Sequence, residues 1–193
     1  MGQQPSLLPN GFSSKKKPCI LMLGLDAAGK STMLWKLRPN DINTRIITIG
    51  FTTETVEYED VSIISWDTPN NHTGRALRQH YFAQADALIY VVDSADRERL
   101  PETREDLQEL LEAEHLAGLP LLVLANKEDL PASKEVGELI ECFNLQSLKD
   151  RDWYIQSCCA NGQDEGLLGG FEWLFNTLKR TAGQRRVSRE NSQ

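Results

Sequence analysis

Residues 24–31 read Gly-Leu-Asp-Ala-Ala-Gly-Lys-Ser and follow directly on a short apolar run. In the spacing G-x-x-x-x-G-K-S, the glycines allow consecutive backbone N–H groups to turn toward phosphate oxygens at the start of a helix. Lys30 would supply a mobile positive charge, and the Ser31 hydroxyl would ligate Mg2+. An ordinary glycine-containing turn, the alternative, does not need all of these features. The predicted phosphate contacts are Gly24, Asp26, Ala27, Ala28, Gly29, Lys30, Ser31 and Thr32.

A second polar cluster, Asn126-Lys127-Glu128-Asp129, follows the apolar run at residues 121–125. The carboxylate of Asp129 can accept hydrogen bonds from both the N1–H and the 2-amino group of guanine, whereas adenine offers no such pair of donors. A wrong base would leave this charge unpaired. A polar turn that only caps a helix is the alternative, but its place after a strand and downstream of a phosphate loop favours guanine. The predicted base contacts are Asn126, Lys127 and Asp129, with backbone contacts from Cys159 and Ala160.

Short apolar runs alternate with longer amphipathic segments from residue 18 onward, which is typical of an α/β domain. We predict a three-layer, doubly wound and mostly parallel six-stranded sheet, with one antiparallel edge hairpin and a phosphate loop after its first strand. The predicted strands are residues 19–24, 53–58, 61–66, 87–93, 121–126 and 153–157. The predicted helices are residues 29–37, 102–114, 134–141 and 167–181.

The 193 residues suit one domain, with 40% hydrophobic and 25% charged residues. We expect a flexible N-terminal leader at residues 1–17, a nucleotide-binding domain at residues 18–181 and a flexible basic tail at residues 182–193. No apolar run approaches the roughly 18 residues of a membrane-spanning helix, and no secretory signal is visible, so a cytoplasmic monomer is expected. The four cysteines fit neither a zinc site nor a dense disulfide framework.

The net charge of -7 argues against nucleic acid as a partner. Charge is nevertheless distributed unevenly, because residues 1–17 carry +3, residues 179–193 carry +4 and the intervening body carries -14. Two basic ends on an acidic body favour peripheral attachment to an anionic membrane surface, and two merely solvated tails are the alternative.

Over residues 18–180 the chain resembles the Arf and Arf-like branch of the small GTPases, with GLDAAGKS, TIGF, WD and NKED in family order. The resemblance implies a GTP/GDP switch that uses Mg2+, recruits effectors and regulates vesicle and membrane traffic at Golgi or endosomal membranes. An exchange factor and a GTPase activator would be further partners. Thr48 would meet Mg2+ and the γ-phosphate, and Asp67 would hold Mg2+ through water.

An aromatic trio is a further feature that the resemblance implies. Phe51, Trp66 and Tyr81 stand where the family places exposed rings that grip effectors in the GTP state. Burial of these rings in the core is the alternative.

The stretch that follows Trp66-Asp67 departs from the family pattern W-D-x-G-G-Q, since it reads Thr-Pro-Asn-Asn. Asn71 replaces the glutamine that orients the attacking water and has a shorter side chain, so Asn71 is predicted to be a weak catalytic residue. Thr48 is the second catalytic residue that the resemblance implies. Pro69 restricts the loop, whereas Asn70 keeps the N–H that would contact the γ-phosphate. We expect hydrolysis to be reduced by about 10² to 10³-fold. A catalytically inactive interaction module is the alternative, and a small-molecule kinase is a weaker third reading.

The N-terminus matches M-G-x-x-x-S, which makes Gly2 a candidate for N-myristoylation. One myristoyl chain gives marginal attachment, and Lys15, Lys16 and Lys17 would each add about 1 kcal/mol on an anionic leaflet. An unmodified leader is the alternative. In the C-terminal tail, Ser188 follows two arginines and is a candidate phosphorylation site.

Overall fold

Seven strands form one sheet in a computed structural model. The structure describes residues 17–37, 42–48, 51–58, 60–67, 79, 81–162 and 165–190. At residues 42–48, 51, 67 and 182–190 only the backbone is considered. The strands are β1 (Cys19–Leu23), β2 (Ile42–Thr48), β3 (Phe51–Tyr58), β4 (Val61–Asp67), β5 (Ala87–Asp93), β6 (Leu121–Asn126) and β7 (Trp153–Cys158). Their order in the sheet is β2-β3-β4-β1-β5-β6-β7. The α-helices of the described residues are α1 (Lys30–Leu37), α2 (Leu100–Glu112), α3 (Val136–Cys142) and α4 (Glu165–Glu190).

The central strands are apolar and buried because helices cover both faces of the sheet. Strand β1 pairs in parallel with β4 and β5, and β6 pairs in parallel with β5 and β7. Ile20 and Met22 pack with α1 and α4, whereas Leu21 and Leu23 pack on the opposite face with α2 and α3. Successive side chains of a strand point to opposite faces, so one short apolar run contributes to two cores. The predicted three-layer, doubly wound α/β fold is confirmed.

The antiparallel edge of the sheet differs in one respect from the prediction. Strands β3 and β4 form the expected hairpin, with pairs from Thr52 opposite Asp67 to Tyr58 opposite Val61. A seventh strand, β2, pairs antiparallel with β3 and occupies the edge. The predicted count of six strands was therefore one short, because the mixed sequence Ile-Asn-Thr-Arg-Ile-Ile-Thr has neither a clean alternation nor an apolar run.

Helix α4 extends beyond its predicted end. It was expected at residues 167–181 and runs over Glu165–Glu190, so most of the predicted C-terminal tail is helical. A run of basic and polar residues had suggested a tail, but most of these residues have good helix propensity. Among the described residues no helix is both long and apolar enough to cross a membrane. The leader at residues 1–16 lies outside the described residues.

Candidate functional site

Three loops that carry the predicted nucleotide contacts lie together at the carboxyl edge of the sheet. They follow β1, β6 and β7, which are parallel strands close to one another in the sheet order. Ligands of doubly wound folds bind at this edge. The loops enclose a cleft of about 280 Å3, which is lined by Ala27, Gly29, Thr32, Asn126, Lys127, Asp129, Leu130, Cys159, Ala160 and Asn161.

The loop between β1 and α1 has a backbone that only glycine permits at two points. Gly24 has a φ of 140°, and a Cβ there would lie 2.2 Å from the Val91 carbonyl oxygen. Gly29 has a φ of 105°, and Ala27 between them has a φ of 59°. Left-handed conformations of this kind turn successive N–H groups toward a common point. The backbone geometry therefore fits a phosphate group.

Lys30 is positioned at the base of this loop. It is 2% exposed, and its Nζ donates hydrogen bonds to the carbonyl oxygens of Gly24 at 2.9 Å and Leu25 at 2.7 Å. A buried ammonium needs such acceptors because it has lost its hydration. The charge is thus held beneath the phosphate loop. Ser31 and Thr32 are exposed at the start of α1, which suits a hydroxyl ligand for a bound cation.

Asn126 joins the phosphate loop to the loop after β7. Its side chain is buried, with Nδ2 donating to the Ala28 carbonyl oxygen at 2.7 Å and Oδ1 accepting from the Ala160 N–H at 2.9 Å. A Cβ at Gly29 would lie only 2.2 Å from Nδ2, so glycine is required for this approach. Ala160 is one of the two residues predicted to contact the base through the backbone, and its N–H here donates to Asn126. Asn126 acts here as a tether between the two loops.

Lys127 and Asp129 form the base side of the cleft. Lys127 has a φ of 67°, and its Nζ donates to Asp93 Oδ2 at 2.5 Å. Asp129 is exposed and lines the cleft. A hydrogen bond between the Cys159 thiol and Asp129 raises the pKa of Cys159, with burial contributing further in the same direction. The Asp129 carboxylate thus lies at the cleft beside the Cys159 thiol.

Asp93 was not predicted as a site residue. It ends β5, which lies between β1 and β6, and it holds Lys127 through an ion pair. The position of a carboxylate at the end of a central parallel strand was a sequence signal that could have identified it. Leu130, which is 41% exposed, and Asn161 line the cleft and were not predicted, since neither has a sequence signal of its own.

Two rings of the aromatic trio, Trp66 and Tyr81, are less exposed than predicted, and the side chain of Phe51 is not among those described. Trp66 is 2% exposed and packs edge-on against Tyr81, with ring centroids 4.6 Å apart. Trp66 faces the core between the sheet and helices α2 and α3, because the alternation of β4 turns this residue inward. Tyr81 is half-buried beside the same core. The predicted exposure of Trp66 is therefore wrong in this structure, and its alternative as a core residue is correct.

The predicted Mg2+ and γ-phosphate residues are only partly described. Thr48 ends β2 opposite Phe51, and Asp67 ends β4 opposite Thr52. The side chains of Thr48, Phe51 and Asp67 are not among those described. Within the described part of the chain, no cluster of three or more His, Cys, Asp or Glu side chains could hold a metal ion. The predicted positions that lie outside the described residues are Gly2, Lys15, Lys16, Pro69, Asn70 and Asn71.

Comparison with known proteins adds family information to this geometry. A family model for the ADP-ribosylation factor family matches residues 5–178. ADP-ribosylation factor K of Dictyostelium discoideum is 46% identical over 167 residues, which cover 86% of this chain and 88% of the relative. ADP-ribosylation factor J of the same organism is 45% identical over 167 residues, with the same coverage of both chains.

Proposed function

The chain belongs to the ADP-ribosylation factor family, and on that premise we propose that it is a GTP/GDP switch that recruits effectors at membranes and hydrolyses GTP slowly. In general terms, membership makes it a GTP-binding regulator of membrane traffic that associates peripherally with membranes. The domain division proposed for this switch is a leader at residues 1–17, a nucleotide-binding domain at residues 18–181 and a basic segment after it.

One observation carries the nucleotide assignment. Asn126 hydrogen-bonds the phosphate loop and the loop after β7 at once, and residues of both loops line one cleft together with Asp129. A ligand that fills the cleft needs an anionic group at one end and a pair of adjacent donors at the other. A guanine nucleotide has both.

Mg2+ is the proposed cofactor at the phosphate end. The residues proposed to hold it are Ser31, Thr48 and, through water, Asp67. A bound Mg2+ neutralises phosphate charge and orients the phosphate oxygens. Hydroxyl and carboxylate oxygens suit this hard cation, and the exposed Ser31 at the start of α1 agrees with such a role.

Slow hydrolysis is proposed from the sequence that follows Asp67. Asn71 has an amide on a side chain one methylene shorter than glutamine, so it orients the attacking water poorly. Pro69 lacks an N–H, and Asn70 retains one for the γ-phosphate. GTP would then be sensed without efficient turnover. A nucleotide-binding module that does not cycle is the second candidate, and the same three residues favour it.

Membrane attachment is proposed through both ends of the chain. Helix α4 runs back from the nucleotide edge, and the 2.8 Å ion pair of Arg180 with Asp152 places its later part near the start of β7. Lys17, just before β1, lies at this same amino edge of the parallel strands and pairs with Glu57 at 2.8 Å. N-myristoyl Gly2 and the basic residues at both ends would thus approach the membrane from the edge opposite the cleft.

Nucleotide binding by the full chain tests the central proposal. After removal of nucleotide with EDTA, titration calorimetry with GDP, GTP, ADP and ATP in the presence and absence of Mg2+ should show binding of guanine nucleotides alone. Equal affinity for ADP would contradict the base assignment. Single-turnover GTP hydrolysis then separates the two candidates, since a slow but measurable rate supports the switch and none supports the inert module.

Attachment is tested separately with the N-myristoylated chain and its Gly2→Ala variant on vesicles of neutral lipid or neutral lipid with anionic phosphatidylserine. We expect sedimentation with anionic vesicles to require the myristoyl group and to weaken with salt. Equal binding to neutral and anionic vesicles would contradict the role of the basic ends.

A further inference from the structure

Arg99 contacts the phosphate loop although it lies outside both nucleotide motifs. It is the residue immediately before α2, and its guanidinium reaches across to Asp26. Nη1 donates to the Asp26 carboxylate at 3.0 Å, and Nη2 donates to the Asp26 backbone carbonyl oxygen at 3.1 Å. Three other arginines, Arg97, Arg151 and Arg180, donate to groups outside this loop.

The contact with the Asp26 carbonyl has a consequence for its neighbour. The Asp26 carbonyl and the Ala27 N–H belong to one peptide plane, and the described residues include no cis peptide bond. In a trans peptide the two groups point in opposite directions. The Arg99 guanidinium holds the Asp26 carbonyl on its own side of the loop. The Ala27 N–H therefore points to the opposite side of the peptide plane, and Ala27 is a residue that lines the nucleotide cleft.

Ala27 needs such support because of its backbone conformation. Its φ of 59° lies in the left-handed region, which costs a residue with a Cβ roughly 1 kcal/mol. Arg99 holds the peptide bond that precedes this residue. The contact thus reduces the tendency of the loop to relax into a conformation in which this N–H no longer points into the cleft.

The guanidinium is itself held by its surroundings. Its Nε donates to Asp96 Oδ2 at 2.7 Å, and this hydrogen bond lowers the pKa of Asp96 and keeps it charged. The Arg99 carbonyl oxygen accepts from both the N–H and the hydroxyl of Thr103, each at 2.8 Å, in the first turn of α2. The planar fork of arginine can serve Asp96 and Asp26 together, whereas the single ammonium of lysine cannot match this geometry.

We propose that Arg99 is a positioning residue of the phosphate site, which orients the Ala27 N–H toward bound phosphate and thereby slows release of nucleoside diphosphate. This inference rests on the proposed function as a guanine-nucleotide switch. It assigns part of the affinity for phosphate to a residue at the start of α2.

The test compares Arg99→Ala and Arg99→Lys with a matched control, Arg97→Ala. Arg97 is exposed two residues away, and its Nε donates to the Ala132 carbonyl oxygen at 3.0 Å, away from the phosphate loop. Dissociation of a fluorescent GDP analogue in Mg2+ should be about tenfold faster for Arg99→Ala, faster by a smaller factor for Arg99→Lys and unchanged for Arg97→Ala.

Two readouts distinguish positioning from a general loss of structure. The ³¹P resonances of bound GDP should move in Arg99→Ala and stay in place in Arg97→Ala, and both chains should have the same circular dichroism. Asp26→Ala keeps the backbone carbonyl contact and should therefore accelerate release less than Arg99→Ala does.

Release from Arg99→Ala at the wild-type rate, or equal acceleration in Arg97→Ala, would overturn the inference while leaving the proposed function intact. If the wild-type chain bound no GDP at all, both the role of Arg99 and the proposed function as a guanine-nucleotide switch would be contradicted.

Discussion

The base side and the switch side of the nucleotide site are built differently. On the base side, after β6 and β7, side chains are tied to neighbouring loops, as Asn126 is to Ala28 and Ala160. On the switch side, after β2 and β4, the sequence departs from its family at Pro69, Asn70 and Asn71. Because these three departures lie on one side, we expect binding of nucleotide and its hydrolysis to depend on separate parts of the chain. Substitutions on one side should then change one activity and leave the other nearly unchanged.

The strongest test of the base side is Asp129→Ala. Two charge-assisted hydrogen bonds to guanine would be lost, so GDP affinity should fall by about three orders of magnitude. Glu128→Ala is the matched control, since Glu128 is the adjacent acid and does not line this cleft. Calorimetric titration with GDP should show wild-type affinity for the control. A similar loss in both variants would mean that general negative charge, and not the Asp129 carboxylate, determines affinity.

On the switch side, the triple variant Pro69→Gly/Asn70→Gly/Asn71→Gln reconstructs the family pattern. We expect single-turnover hydrolysis of GTP to accelerate by about a hundredfold, because a positioned water-orienting group is restored. GDP affinity should stay within about twofold, since the base side is untouched. Asn71→Gln alone should recover only part of the rate because Pro69 still restricts the loop. If the triple variant hydrolysed GTP at the wild-type rate, the proposal that Pro69, Asn70 and Asn71 slow hydrolysis would be contradicted.

The two sides also differ in how far the sequence predicted them. Gly24, Lys30, Asn126 and Asp129 could be identified because their spacing and their places after apolar strands follow from the chemistry of a phosphate and a base. Strand β2 could not, because its mixed sequence has neither a clean alternation nor an apolar run, although it pairs with β3, the next strand along the chain.

Trp66 and Arg99 were missed for related reasons. The burial of Trp66 depends on which face of β4 the helices cover, and an aromatic residue alone does not reveal that. The contact of Arg99 with Asp26 joins residues 73 positions apart, and no local pattern marks it.

The packing beneath the base side can be tested with a pair of glycines in α4. A Cβ at Gly166 would lie 2.4 Å from the Ser157 carbonyl oxygen of β7, whereas a Cβ at Gly169 has only Gln156 Oε1 at 4.0 Å. We expect Gly166→Ala to lower the free energy of unfolding by about 2 kcal/mol, because backbone must shift. Gly169→Ala should raise it by about 0.5 to 1 kcal/mol through helix propensity. Urea denaturation measures both, and equal effects would argue against close contact of α4 with β7.

Alkaline pH offers a finer test of burial on the base side. Burial raises the pKa of the Cys158 thiol from 9.0 to about 12. Between these values the unfolded chain loses this proton while the folded chain keeps it, so stability falls as pH rises, by about 1.4 kcal/mol per pH unit from this group. Cys158→Ala should reduce the slope of unfolding free energy against pH by that amount above pH 9. Identical slopes for the two proteins would show that this thiol is hydrated.

The Asn126 tether should also couple the binding of the phosphate part of the ligand to the binding of its base. Its amide hydrogen-bonds the loop that would receive phosphate and the loop that would receive base, so ordering either loop favours order in the other. A nucleoside and inorganic pyrophosphate, offered as separate fragments, should each strengthen binding of the other without touching it. Reciprocity of linkage requires the enhancement to be the same in both directions.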